Sequence, residues 1–169
     1  MIIGIGGVSR AGKTTLSEKL KKRLKGNSIK LFNQDDYVKK TGLPIIKNHI
    51  DWEHPDSIDW KRLKKEVRAA RATTAFVIVE GLFAFYDRDL ARTYDHSVFV
   101  QIDREVFFSR KSRDLRWGKE PAWFIRHIWN SYQKYGKLPR TIKEVIWVNG
   151  AMHTDLDPLV RLILAGAGS

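Results

Sequence analysis

Apolar residues along this chain fall into short unbroken runs separated by stretches with helical spacing. Ile2 to Ile5 is the first run, followed by a glycine-rich turn and a segment from Lys13 to Leu24 in which Leu16, Leu20 and Leu24 recur every four residues. That order predicts strand, loop, helix, with Gly26 as the stop. Ser28 to Asn33 reads as a second strand ending in Gln34-Asp35-Asp36, Ala75 to Val79 as a third ending in Glu80-Gly81, and His96 to Ile102 as a fourth. Glu144 to Val148, closed by Asn149-Gly150, is the fifth, and Asp155 to Leu164 is a last amphipathic helix before an Ala-Gly-Ala-Gly-Ser tail expected to be mobile. Trp60, Leu63, Val67 and Ala70 step by three and four, a helix whose start is marked by Pro55-Asp56 with Asp59 following.

Continuously apolar strands alternating with helices predict an α/β fold, a three-layer sandwich around a parallel five-stranded sheet. Such sheets bind ligands at the carboxyl ends of their strands, so the chemistry is expected there. Two segments exceed simple crossovers. Tyr37 to Asp51 reads as a long loop within a substrate segment of about 37–59, and about 104–136 is a helical excursion dense in arginine and aromatics, read as a lid.

A length of 169 residues with 43% hydrophobic content suits one sizeable core, so a single domain is expected. No apolar run approaches the roughly 20 residues that cross a bilayer, and Met1-Ile2-Ile3-Gly4 lacks a basic leader, so the expected location is the cytoplasm, away from membranes. Cysteine is absent, which excludes disulfides and thiol redox chemistry. The formal charge of +12 implies attraction to polyanions, yet the basic residues lie at helical spacing with acids between them, as on solvated faces.

The sharpest chemical signal is Gly7-Val8-Ser9-Arg10-Ala11-Gly12-Lys13-Thr14, which satisfies G-x-x-x-x-G-K-[ST] between a strand and a helix. In such a loop backbone N–H groups wrap a phosphate, the helix N-terminus adds positive potential, Lys13 bridges the outer phosphates, and the Thr14 hydroxyl reaches Mg²⁺. Gly7, Ser9, Ala11, Gly12, Lys13, Thr14 and Thr15 are therefore candidate ATP-binding residues. Asp35 and Asp36 end the neighbouring strand, where a carboxylate can take a proton from an acceptor hydroxyl. No N-K-x-D tetrapeptide occurs, so a guanine-binding switch is disfavoured and a kinase preferred. Glu80 stands at the end of a buried strand, where an acid holds Mg²⁺ directly or through water. Arg110, Arg113 and Arg116 recur every three residues and read as one face of a helix able to clamp transferring phosphates. The five histidines show no ligand spacing, so no metal beyond Mg²⁺ is expected.

Gly7 to Thr14, Gln34-Asp35-Asp36-Tyr37, Trp52-Glu53-His54-Pro55-Asp56-Ser57-Ile58-Asp59, Val79-Glu80-Gly81 and Arg110-Lys111-Ser112-Arg113-Asp114 resemble, in order, the motifs of the uridine kinase and nicotinamide riboside kinase superfamily. Pro121-Ala122-Trp123-Phe124, His127-Ile128-Trp129, Tyr132-Gln133-Lys134-Tyr135 and Val148-Asn149-Gly150 look like the C-terminal half of nicotinamide riboside kinases. The resemblance implies an ATP- and Mg²⁺-dependent kinase of the 5′-hydroxyl of a small-molecule riboside, with nicotinamide riboside as first acceptor and no nucleic-acid partner. It implies Asp35 as general base, Glu80 near Mg²⁺ and acceptor, Trp52 stacked on the base, Glu53 on the ribose diol, Tyr37 in the substrate site, and Arg110 and Arg113 in the lid. Glu53 stands where the family more often has Asp, and His54-Pro55-Asp56 is similar to uridine kinases, so uridine, cytidine or another small metabolite taken by a kinase of the same fold remains an alternative acceptor. A P-loop protein that uses ATP only as a ligand, beside nucleic acid or in regulation, is the remote alternative.

Overall fold

The computed structural model describes residues 1–116 and 118–167. Five parallel strands form the central sheet: β1 (Ile2–Gly6), β2 (Ile29–Asn33), β5 (Phe76–Gly81), β6 (His96–Gln101) and β7 (Ile146–Asn149), in the order β2-β5-β1-β6-β7. Between β2 and β5 the chain makes a small hairpin of β3 (Ile45–Ile46) and β4 (His49–Ile50). The helices are α1 (Lys13–Arg23), α2 (Trp60–Thr73), α3 (Arg88–Ala91), α4 (Arg104–Ser112), α5 (Ala122–Tyr135) and α6 (Asp157–Ala167).

The period of two along the central strands explains the layering. Ile3 and Ile5 of β1, with Phe76 and Ile78 of β5, enter one core shared with Leu16 and Leu20 of α1, Ile128 of α5 and Ile163 of α6. Ile2, Val77 and Val79 point the other way, into a second core with Leu63 and Val67 of α2. Both faces are covered, which is why these strands carry no polar alternation. Among the described residues no helix is long and apolar enough to cross a membrane.

Several expectations need correction. The loop from Tyr37 to Asp51 contains the β3–β4 hairpin, turned by Lys47 and Asn48, both at positive φ. Helix α2 is capped by Asp59, whose side chain accepts from Arg62 N–H at 3.0 Å. Pro55-Asp56 opens a separate single 3-10 turn (Pro55–Ser57), and Asp56 is exposed. The last helix runs through Ala167, so most of the supposed mobile tail is helical, with Gly166 beside Met1 and His96; Gly168 and Ser169 lie outside the described residues. The strand edges shift by a residue or two, β7 starting at Ile146 instead of Glu144.

Candidate active site

Three neighbouring strands end together. Gly6 of β1 pairs with Gly81 of β5, and Asn33 of β2 pairs with Glu80 of β5, so the loop after β1, the turn after β2 and the end of β5 converge. The cleft they enclose has a volume of about 430 Å³. Ser9, Arg10, Gly12, Lys13, Thr14 and Thr15 supply one wall, Asp35 and Glu53 another, with Glu80, Gly81 and Leu82 at its floor and Arg110 and Arg116 from the 104–136 excursion.

The phosphate-loop wall follows from its glycines and its helix. Gly7 has φ +145 and lies so close to β6 that a Cβ would fall 2.3 Å from the Val100 carbonyl oxygen, so a side chain is barred there. Gly7 and the buried Ala11 thus shape the loop without lining the cleft. Helix α1 begins at Lys13 with no acid in its first turn, which leaves its positive end free for an anion.

Lys13 is buried and its Nζ donates to the Val8 carbonyl at 3.1 Å. Burial lowers its pKa, while Glu80, Asp35 and Glu53 oppose that shift. The Thr14 hydroxyl donates to Glu80 Oε1 at 2.7 Å, which places the two expected Mg²⁺ residues in direct contact. Burial raises the Glu80 pKa, and Lys13 and the Thr14 bond pull it back. These hard oxygen atoms at the cleft floor are the donor type Mg²⁺ takes, alongside nucleotide phosphates and water.

On the opposite wall, Gln34 to Tyr37 form one 3-10 turn in which Gln34 and Tyr37, three apart, face inward and Asp35 faces the cleft. Asp35 N–H is held by Asn33 Oδ1 at 3.0 Å. Asp36 is exposed and does not line the cleft, which separates two carboxylates that look alike in sequence. Glu53 enters the cleft from the segment after the hairpin. Burial and then Asp35 push its carboxyl up to about 7, against the pull of Lys111 and Lys13.

Besides Gly7 and Ala11, three expected site residues are not brought to the cleft wall. Tyr37 is only 5% exposed and packs with Phe32 in the second core, its hydroxyl donating to Glu66. Its position as the inward residue of the 3-10 turn makes it structural. Arg113 caps the C-terminus of α4, is exposed and stays out of the cleft. Helix α4 stops at Ser112, so Arg110, Arg113 and Arg116 do not share a helical face. Trp52 lies next to Glu53 with its side chain outside the cleft lining and the residue 46% exposed. The helix-anchoring tryptophan is instead Trp60, whose Nε1 donates to the Pro55 carbonyl at 2.9 Å.

Sequence reasoning missed the acid that organises the arginines. Asp114 is buried and binds Arg116 through two bonds, Nε to Oδ1 at 2.9 Å and Nη2 to Oδ2 at 2.8 Å. Arg10 of the phosphate loop and Lys111 both lie 3.7 Å from Asp114 Oδ2, and Lys111 also meets Glu120. The Arg116 bonds hold the Asp114 pKa far below the usual carboxylate range. Arg110 Nη1 donates to the Arg10 carbonyl at 3.1 Å, a second tie between the excursion and the loop. The signal available in sequence was Asp114 itself, an acid among six basic residues from Arg104 to Lys119.

Comparison with known proteins agrees with this geometry. The profile of a family described as "AAA domain" matches residues 3–118. A uridine kinase from Deinococcus deserti is 29% identical over 136 residues, covering 65% of this chain and 66% of its own length. Nicotinamide riboside kinase 2 from Mus musculus is 28% identical, covering 89% of this chain and 87% of its own. Among solved structures, a "possible uridine kinase" from Bacillus stearothermophilus shares the fold with a TM-score of 0.55 at 16% identity, covering 86% of this chain and 88% of that one.

Proposed function

The chain belongs to the P-loop family described as AAA domain, and from its similarity to uridine and nicotinamide riboside kinases we propose that it transfers the terminal phosphoryl group of ATP to the 5′-hydroxyl of a riboside. The observation that carries the reading is the division of one cleft between a cationic wall of Arg10, Lys13, Arg110 and Arg116 and a carboxylate wall of Asp35 and Glu53. A triphosphate is held on the first wall and a polyhydroxy acceptor on the second.

Asp35 acts as general base. It accepts the 5′-hydroxyl proton as that oxygen bonds to the γ-phosphorus and the bond from phosphorus to the β–γ bridging oxygen breaks, leaving ADP. Lys13 exchanges its bond to the Val8 carbonyl for the outer phosphates, and Arg110 and Arg116 stabilise charge spread over the transferred group. Asp114 holds Arg116 in that direction. Thr14 and Glu80 are the residues that hold Mg²⁺, which when bound neutralises phosphate charge. Residues 104–136 act as the lid and 37–59 as the acceptor segment; Glu53 binds the ribose diol.

The half-exposed Trp52 ring beside Glu53 offers a face to the acceptor's base. A pyridinium base favours nicotinamide riboside over the neutral uracil of uridine, since cation–π contact with Trp contributes about 0.5–2 kcal/mol. Incubation with ATP, Mg²⁺ and a mixture of ribosides, read by mass, identifies the acceptor. Comparison of kcat/KM for nicotinamide riboside, uridine and cytidine in wild type and Trp52→Leu then tests the stacking. A wild type that prefers uridine, or a variant that loses equally on all three, rejects the cationic acceptor; a protein that phosphorylates none of them rejects the kinase.

A further inference from the structure

Resting on the reading of Glu53 as the acceptor-binding carboxylate, we propose that His127 and Asp51 are positioning residues that aim Glu53, which makes helix α5 the element that sets acceptor affinity. Asp51 is a buried acid that does not itself line the cleft. Its Oδ1 takes two donors at once, His127 Nε2 at 2.7 Å and the Glu53 backbone N–H at 3.1 Å. Its own N–H donates to the Pro44 carbonyl at 2.7 Å, which ties it to the base of the hairpin. The bond from a side-chain oxygen to the N–H two residues on fixes the direction in which the chain leaves Asp51, hence where the Glu53 side chain points. A carboxylate left with that local bond alone can swing; His127 stops it.

Helix α5 reinforces this point on both sides. Trp123, His127 and Tyr135 are spaced by four and eight residues and lie along one stripe. Trp123 packs on His49 at 5.6 Å between ring centroids and carries Lys47 Nζ 5.0 Å from its own ring centroid. The Tyr135 hydroxyl meets His54 Nε2 at 3.1 Å. Contacts at residues 49, 51 and 54 thus bracket Glu53, and all three come from a helix that contributes no cleft-lining residue. The opposite stripe, with Ile125, Ile128 and Tyr132, is anchored in the first core, so the support is rigid.

The test uses the full chain with two polar substitutions of similar size. In His127→Gln the side-chain amide nitrogen reaches the place of Nε2; in His127→Asn it falls short. The Asn variant should raise the acceptor KM by on the order of tenfold, with ATP KM and kcat at saturating acceptor within about twofold. The Gln variant should keep the wild-type acceptor KM. In a Glu53→Ala background His127→Asn should add no further change, a result that a general loosening of the fold does not produce. Equal KM values for Asn and Gln, a parallel rise in ATP KM, or additivity with Glu53→Ala each overturn the proposal. Amide hydrogen exchange reads the same geometry without turnover: protection at the Glu53 N–H should be lost in His127→Asn and kept in His127→Gln, and unchanged protection in both overturns the proposal. An active wild type whose acceptor KM rises in Glu53→Ala but not in His127→Asn removes this inference and leaves the kinase reading standing. A wild type inactive on every riboside removes the kinase reading, and exchange alone then decides the positioning.

Discussion

Gly150 offers a perturbation of the nucleotide site from outside the cleft. It follows β7, and its N–H donates to the Gln101 carbonyl at 2.8 Å, which seats it beneath the phosphate loop. A Cβ at Gly150 would fall 2.1 Å from the Ala11 carbonyl oxygen, 2.9 Å from Val100 Cγ1 and 3.0 Å from Ile102 Cγ2. Carbon and carbonyl oxygen settle at about 3.3 Å or more, so Gly150→Ala must push the Ala11–Gly12 peptide away by about 1 Å. That peptide carries the Gly12 N–H, which in the proposed function faces phosphate, and its neighbour Arg10 holds Arg110 through a carbonyl. A misplacement of about 1 Å in a positioned reactant can lower turnover roughly a hundredfold. Steady-state kinetics in ATP at saturating acceptor should therefore show a raised ATP KM and a kcat reduced by ten- to a hundredfold. Gly26→Ala is the control: it has φ +95 but nothing within 4 Å of the added Cβ, so it should lower the melting temperature through backbone strain of about 1–2 kcal/mol and leave ATP kinetics unchanged. Gly150→Ala with ATP kinetics within twofold of wild type would refute the reasoning.

Asp35→Asn should reduce kcat by roughly 10²–10⁴-fold with ATP affinity retained, and Asp36→Asn should be near neutral; isothermal titration with ATP and initial rates check both, and the reverse ranking would exchange their roles. Arg116→Ala should lower kcat by about tenfold or more while Arg113→Ala stays within about twofold, because only Arg116 reaches the cleft; equal effects would return Arg113 to the lid. For Glu53 the native carboxyl titrates at about 7 against an ordinary 4.5, so folding stability should fall as pH rises from about 4.5 to 7 and level off above. Glu53→Gln should flatten that slope in denaturant melts, and should also abolish the drop in acceptor KM expected of the wild type as pH rises through about 7.

The architecture was legible because its signals are local. Ile2 to Ile5 and Phe76 to Val79 are apolar on both faces because both faces are covered, and the phosphate loop declares itself by glycines at fixed offsets. What escaped depends on where a turn ends. Arg110, Arg113 and Arg116 look equivalent as a three-residue repeat, but Asp114 N–H bonds the Lys111 carbonyl at 3.1 Å and breaks the helix, so Arg113 goes to solvent and Arg116 to the cleft. Tyr37 looked like a site residue beside Asp35, yet a 3-10 turn repeats every three residues and returns it to the core with Gln34. The Asp51–His127 pair joins positions 76 apart, with no spacing pattern to reveal it.

Charge along the cleft also orients the reactants. The chain as a whole is strongly basic, at +12, and on that ground alone a cationic riboside would be repelled and any polyanion drawn in. Beyond about 8 Å at physiological salt such a field is screened, so the groups within the cleft decide. There Arg10, Arg110 and Arg116 stand on the phosphate-loop side, and the buried Lys111 and Lys13 both draw on Glu53, Lys13 being balanced by Glu80. In the proposed function Asp35 and Glu53 face the acceptor side, where burial and then Asp35 raise the proton affinity of Glu53. A positive ring entering that side relieves the repulsion that a neutral uracil leaves in place. The same entry lowers the Glu53 pKa, because a cation beside a carboxyl favours its ionised form. Nicotinamide riboside should therefore release a fraction of a proton from Glu53 on binding at pH 7, and uridine should not. Calorimetric titration in two buffers of different ionisation enthalpy measures that release directly; equal proton release for both ligands would remove the electrostatic reason for preferring the cation.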